Sequence, residues 1–112
     1  MRGIDLNWAG AERTFLFPID LLKALEERCD AGPAWILNRL GNDQWKVNDV
    51  VETIRFGLEG GGMDKEEARR IVIAHFRDNK LGGSVITAHA ILMHALYVED
   101  EDTGEAEAAA DD

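Results

Sequence analysis

Apolar and polar residues alternate along the first 17 positions of the chain. In the stretches GIDLNWAG and RTFLF the apolar side chains recur at every second residue, with Ile4, Leu6 and Trp8 on one face. This is the period of a β-strand, and Gly10 lies in the short connection between the two stretches. The pattern predicts a β-hairpin in which residues 3–9 pair with residues 12–17. Because a lone hairpin is only marginally stable in water, it must pack on helices or pair with another chain.

From Pro18 onward the apolar residues recur at intervals of three and four, which is the period of an α-helix. Proline, glycine and capping residues divide this part of the chain into five helices. The residues that begin or end them are Pro18, Gly32, Pro33, Gly41, Asn48 or Asp49, Gly60, Asp64 and Ser84. We therefore predict a mainly α fold, in which residues 1–98 form one helical domain: a small bundle of about five helices, preceded by the hairpin at residues 3–17.

The stretch GLEGGGMDKEEA, residues 57–68, allows two interpretations. Glycines before a helix can cradle a phosphate, or they can simply end one helix and let the chain reverse into the next. A phosphate loop of the Walker type needs a Lys followed by Ser or Thr directly after its last glycine, and no such pair follows Gly62. Asp64 and Glu67 instead have the spacing of a capping box, and carboxylates in a first helical turn repel a nucleotide. We interpret Gly60, Gly61 and Gly62 as a structural turn.

The fifth predicted helix is apolar nearly all round. Val85, Ala88, Leu92 and Ala95 form one stripe of a helix, and at 100° per residue the side chains of Ile86, Met93 and Tyr97 fall together along another flank. A helix of this kind is either central to a bundle or partly offered to a partner. We predict that Ile86, Met93 and Tyr97 bind a partner protein or a second copy of the chain. The alternative is that the first helix or the hairpin covers them.

The formal net charge is −10, and it is unevenly distributed. Residues 99–112 (EDEDTGEAEAAADD) contain eight of the 22 acidic residues and no basic residue. Such a segment repels itself and offers little apolar surface, so we predict a disordered acidic tail. It could serve only solubility, or it could attract a basic partner. Nucleic acid is not an expected partner, because the rest of the chain has no basic stripe to neutralise phosphates.

Catalytic and metal-binding motifs are not apparent in the sequence. His89 and His94 are five residues apart, whereas a zinc-binding helix places its two histidines four apart. Cys29 is the single cysteine, which fits a reducing compartment, and no nucleophile motif accompanies it. We expect no enzymatic activity, no cofactor and no metal. The chain shows neither a membrane-spanning run nor a signal peptide, so we expect no membrane association and a cytoplasmic location.

The order of these elements is similar to that of a known family. A hairpin precedes FPIDLLKALEERCDAGPAWILNRL, a turn ends in Trp45, VNDVVETIRFGLEGGGMDKEEARRIV follows, and AHAILMHAL is the last segment of the pattern. This order resembles the small tail assembly chaperones of long-tailed phages and gene transfer agents, which are also described as tail-tube-associated. The resemblance covers residues 3–98 and is most specific between Ile54 and Glu67.

The resemblance implies a binding protein without catalytic residues that acts in building a phage-like tail. Its expected partners are the tape-measure protein, unassembled tail tube subunits, or both, in the cytoplasm of the host bacterium. One alternative is a structural tail-tube component, with the hairpin joining neighbouring subunits edge to edge, which would place the protein in a virion-like particle. A second alternative is a small regulatory or adaptor protein unrelated to tails.

Overall fold

A computed structural model of the protein describes residues 2–99. Two antiparallel strands, β1 (Ile4–Trp8) and β2 (Ala11–Phe15), precede five α-helices. The helices are α1 (Ile19–Cys29), α2 (Pro33–Gly41), α3 (Val47–Gly60), α4 (Lys65–Asp78) and α5 (Val85–Tyr97), with a 3₁₀ turn at Leu81–Ser84 before α5. The predicted mainly α fold with an N-terminal hairpin is confirmed. The predicted acidic tail lies outside the described residues except for Glu99.

The hairpin is shorter than predicted, and a two-residue turn closes it. Strand β1 pairs with β2 from Ile4 opposite Phe15 to Trp8 opposite Ala11. The turn residues Ala9 and Gly10 both have positive φ, 53° and 83°, which is typical of the tight turns that match strand twist. Such a φ is unfavourable for an alanine.

Arg13 holds the turn from the apolar face of the hairpin. Its guanidinium donates to the carbonyl oxygens of Trp8 and Ala9, each at 3.1 Å. Both bonds secure the chain on the entry side of the turn, where the backbone is under strain. The predicted pairing of residues 16 and 17 does not occur, because Leu16 turns its backbone towards helix α3.

Helix α3 is the centre of the bundle. It packs against α1, α4, α5 and β2, and every residue from Glu52 to Leu58 is buried. Two of its buried charged residues pair with each other, since the Arg55 guanidinium donates to the Glu52 carboxylate at 2.6 and 2.9 Å. Arg55 also donates to Glu59 at 3.1 Å and lies over the ring of Phe56. The sequence pattern indicated α5 as a candidate central helix. Helix α3 can be central instead, because a charged residue with an intrahelical partner can be buried, as an apolar residue can.

The triple glycine ends α3 in a Schellman motif. Gly62 has a φ of 114°, the amide of Met63 donates to the Leu58 carbonyl, and the amide of Gly62 donates to the Glu59 carbonyl, both at 3.0 Å. Helix α3 therefore ends within the glycine run. Only Gly62 needs the backbone freedom of glycine.

Gly60 and Gly61 are required for another reason, the close approach of the hairpin. A Cβ on Gly60 would lie 1.8 Å from the Leu16 carbonyl oxygen, and one on Gly61 would lie 2.0 Å from the Thr14 carbonyl oxygen. The Leu16 amide donates to the Gly57 carbonyl at 3.0 Å. An extended segment, not another helix, therefore lies directly on the end of α3.

Three predicted helix caps differ in detail. Asp64 caps α4 and accepts from the amides of Glu66 and Glu67, but the Glu67 carboxylate pairs with Arg70 instead of closing a capping box. The cap of α3 is Lys46, not Asn48 or Asp49, because the helix begins at Val47. Ser84 precedes α5 without capping it, since its hydroxyl accepts from the Trp8 indole at 3.0 Å.

One buried ion pair joins α2 to α3. Arg39 donates to both carboxylate oxygens of Asp49, at 2.7 and 2.8 Å, and the Lys46 amide donates to the same carboxylate at 2.8 Å. The Asp49 side chain is fully buried. The fork geometry satisfies the guanidinium and the carboxylate together, so neither charge is left alone in the interior.

We expect Gly60→Ala to destabilise the protein by about 3 kcal/mol, because the new methyl group must push the hairpin backbone away. Gly82→Ala is the matched control, since nothing lies within 4 Å of a Cβ at Gly82. Urea unfolding followed by circular dichroism measures both. Equal stability of the two variants would contradict the proposed close approach.

We expect Asp49→Ala to lower the free energy of unfolding by about 3 kcal/mol, since it leaves the Arg39 guanidinium and the Lys46 amide without their acceptor. Asp64→Ala removes an exposed cap and should cost about 1 kcal/mol. Denaturant melts of both variants test this. A loss at Asp49 no larger than that at Asp64 would show that the buried pair contributes little.

Candidate functional site

The outer face of α5 presents the three predicted partner-binding residues to solvent. Ile86 is 83% exposed, Tyr97 61% and Met93 39%. Half-buried Ala90 lies between Ile86 and Met93 along the same side of the helix. We call Ile86, Ala90, Met93 and Tyr97 the α5 strip. An apolar side chain as exposed as Ile86 contributes no burial to folding, so the strip is a candidate interaction surface.

The opposite face of α5 is in the core. Ile91 is 1% exposed, and its Cγ2 atom lies within 3.3 Å of where a Cβ on Gly57 would stand. Phe15 packs at the same glycine. Because Met93 is two residues from Ile91, its side chain points about 200° around the helix from it. The strip is therefore turned away from the hairpin and from α3.

Other exposed apolar side chains are scattered over the molecule. They are Ile19 on α1, Trp35 on α2, Val47 on α3, Ile73 on α4 and Val98 after α5. Single exposed apolar residues are normal on protein surfaces. What distinguishes the α5 strip is that three large exposed side chains share one side of one helix. Trp35, which the sequence analysis did not select, is on α2, a helix that packs against α5.

The glycine turn is not shaped to bind an anion. The carbonyl oxygens of Thr14 and Leu16 occupy the space next to Gly61 and Gly60, and a carbonyl oxygen repels a phosphate. The amides of Gly61, Gly62 and Met63 all donate within the turn. With its donors used and acceptors placed beside it, this turn cannot cradle a phosphate as nucleotide-binding loops do.

The groups with acid–base or metal chemistry are dispersed among the described residues. Within residues 2–99, no three His, Cys, Asp or Glu side chains are placed to hold a metal ion. Burial, with the nearby Asp49 carboxylate, raises the pKa of the Cys29 thiol to about 12, so it stays protonated and unreactive. Burial lowers the pKa of His75, whose ring stacks on Trp8 with centroids 4.4 Å apart.

None of the helices in the described part of the chain combines the length and the apolar content that crossing a bilayer requires.

Comparison with known proteins gives one match. A family model described as "Phage tail tube protein, GTA-gp10" matches residues 3–98, which include both strands and all five helices. No curated protein and no solved structure matches significantly. The matched range coincides with the range over which the sequence order resembled tail-associated proteins.

Two isoleucines of α5 provide a matched test of which face belongs to the core. Ile91→Ala should destabilise by about 2–4 kcal/mol, because it leaves a cavity under the hairpin. Ile86→Ala should change the free energy of unfolding by less than about 0.5 kcal/mol, because that side chain is already in solvent. Thermal or urea melts compare them. A large loss for Ile86→Ala would place the strip in the core.

Proposed function

Since the chain belongs to the family described as phage tail tube protein, GTA-gp10, we propose that it is a tail assembly chaperone. It has no enzymatic activity and no cofactor. It binds the tape-measure protein, or unassembled tail tube subunits, in the cytoplasm of the host bacterium while the tail is built. The α5 strip is its binding surface.

The exposed strip on α5 is the observation that supports this proposal. A tape-measure protein is long and helical, and its apolar stripes aggregate unless they are covered. Helix packing covers such stripes, since apolar residues three, four and seven apart on one helix fit between those of another. The α5 strip has this spacing, with Ala90 leaving room for a partner side chain between Ile86 and Met93. The large side chains of Met93 and Tyr97 are of the kinds enriched at interfaces.

Charge favours the same kind of partner. A chain with a net charge of −10 attracts a partner with basic patches and speeds their encounter. Charge also keeps a protein with an exposed apolar strip soluble before the partner arrives. An acidic, partly apolar surface suits a temporary holder of an aggregation-prone helix.

A structural tail-tube component is the second candidate, and the description of the family favours it. In this role the hairpin would join neighbouring subunits, and the protein would remain in the particle. The two strands form one hairpin, and α3 lies against the outer edge of β2 at Thr14, so within residues 2–99 β1 offers the one unobstructed edge. A continuous wall of strands needs two open edges on each subunit, which is why we rank this role second. The family match argues against an adaptor unrelated to tails.

The test is a pull-down of the tape-measure protein encoded beside this chain, using Ile86→Asp and Met93→Glu. A carboxylate in the middle of an apolar contact should abolish capture, because the charge would be buried without a partner. Ile19→Asp is the matched control, since Ile19 is 70% exposed at the start of α1. This control should bind like the original chain. Circular dichroism melts establish that all three variants fold.

Equal capture by Ile86→Asp and by the control would contradict the role of the strip. Mass spectrometry of purified tail particles separates the two candidate roles. A chaperone should be absent from finished particles, whereas a tube component should be present in many copies.

A further inference from the structure

The outer edge of β1 is open, and its geometry is determined by the turn. Because the loop has two residues, Trp8 and Ala11 form a hydrogen-bonded pair. Leu6 with Arg13 and Ile4 with Phe15 are hydrogen-bonded pairs as well. The backbone groups of Gly3, Asp5 and Asn7 therefore point away from β2. The side chains of Asp5 and Asn7 are exposed. The edge thus offers a short row of free backbone donors and acceptors.

The outer edge of β2 is obstructed at the end that meets α3. Its outward amide at Leu16 donates to Gly57, and its outward carbonyl at Thr14 lies against Gly61. Within residues 2–99, no backbone–backbone hydrogen bond covers the corresponding groups of β1. Natural edge strands are commonly blocked by proline, lysine or a bulge. The sequence of β1, IDLNW, contains none of these and has Asp5 as its one charge.

The residues of β1 match a second copy of the same strand in one register. Antiparallel pairing about a twofold axis can place Asp5 opposite Asp5, Asp5 opposite Asn7, or Asn7 opposite Asn7. The first sets two carboxylates face to face, which is unfavourable. The third register shifts one strand along the other, so that Asp5 lies opposite the turn residue Ala9. In the second, the axis passes at Leu6, and all five residues of β1 are paired.

The middle register also places suitable side chains together on both faces. On the outer face the Asp5 carboxylate, which already accepts from the Thr14 hydroxyl at 2.6 Å, lies opposite the Asn7 amide of the second copy. This contact occurs twice. On the inner face Ile4 meets Trp8, and Leu6 meets Leu6. Ile4 and Leu6 are only half-buried within one copy, so pairing would cover the rest of their apolar surface.

We propose that two copies of this chain associate through β1 to form a four-stranded antiparallel sheet with Leu6 on the twofold axis. Such an interface uses the same edge on both copies, so it closes on itself and does not propagate. At both ends of that sheet α3 obstructs the β2 edge at Thr14. The expected product is therefore a discrete dimer. This inference uses only β1 and does not depend on what binds the α5 strip.

Sedimentation velocity of the full chain over a range of micromolar concentrations tests the dimer. Asn7→Pro removes an outward N–H without touching the ladder to β2, and proline is tolerated on edge strands. We expect it to weaken association at least about tenfold. Ile86→Asp is the control for the other surface and should leave the dimer intact. The proposal would be overturned if the unsubstituted chain were monomeric, or if Asn7→Pro formed the dimer as strongly as the unsubstituted chain does.

A charge test covers the case in which Asn7→Pro does not fold. Asn7→Lys places a lysine opposite Asp5 of the second copy, so it should tighten the dimer, with less effect at high salt. Adding Asp5→Lys to it places lysines opposite lysines and should separate the copies. Glu12→Lys, on the outer face of β2, should do neither. If the single and double lysine variants associate equally, the β1 interface is wrong.

Disulfide trapping tests the register. In the proposed arrangement a mixture of Asp5→Cys and Asn7→Cys chains should form a disulfide-linked pair under mild oxidation, while each variant alone should form far less. The buried Cys29 does not interfere, because its thiol stays protonated. Efficient cross-linking of Asn7→Cys with itself would indicate another register and overturn the one proposed.

Discussion

The fold depends on one close contact, the approach of the hairpin backbone to the end of helix α3. The carbonyl oxygens of Thr14 and Leu16 lie where any side chain at Gly61 or Gly60 would begin. The Gly57 carbonyl accepts from the amide of Leu16 and from that of Gly61, each at 3.0 Å, so the strand and the helix end share one acceptor. Contacts between two backbones leave little freedom, because neither can change its rotamer to relieve a clash. The hairpin is therefore held at one angle to the helix.

Several features of the surface follow from that angle. Helix α3 lies against the outer edge of β2 at Thr14, so the sheet has one unobstructed edge instead of two. At the far end of the hairpin Trp8 reaches Ser84 and stacks on His75, which links β1 to the start of α5 and to α4. One face of α5 is then used at Ile91, under Phe15 and Gly57. The other face remains in solvent.

The two proposed surfaces are thus products of the same arrangement, although they are independent of each other. The β1 edge suits a second copy because hydrogen bonds along a strand need only a matching register. The α5 strip suits a partner helix because apolar side chains at helical spacing pack without directional bonds. A small protein that holds another during assembly gains from separate surfaces, since occupying one leaves the other free.

The sequence by itself determined the secondary-structure elements, because its periodicity reflects interactions between residues that are close along the chain. Alternation predicted the hairpin, spacings of three and four predicted the helices, and the glycine run predicted the end of α3, since each depends on neighbours in the chain. The spacing of Ile86, Met93 and Tyr97 likewise grouped them on one side of a helix before any partner element was known. Their exposure in this fold leaves their role in binding a proposal.

Only the tertiary structure decided which helix is central, and why the glycines are needed. The pairing of Glu52 with Arg55 allows these charged residues of α3 to be buried. The sequence predicted Asp49 as a possible helix cap. The structure gives it a partner in the core, Arg39, ten residues away. The sequence predicted a structural turn at Gly60 and Gly61, but not that these positions need space because Leu16 and Thr14 pass over them. Each of these depends on atoms distant in sequence, and no local pattern records how closely two distant backbones approach.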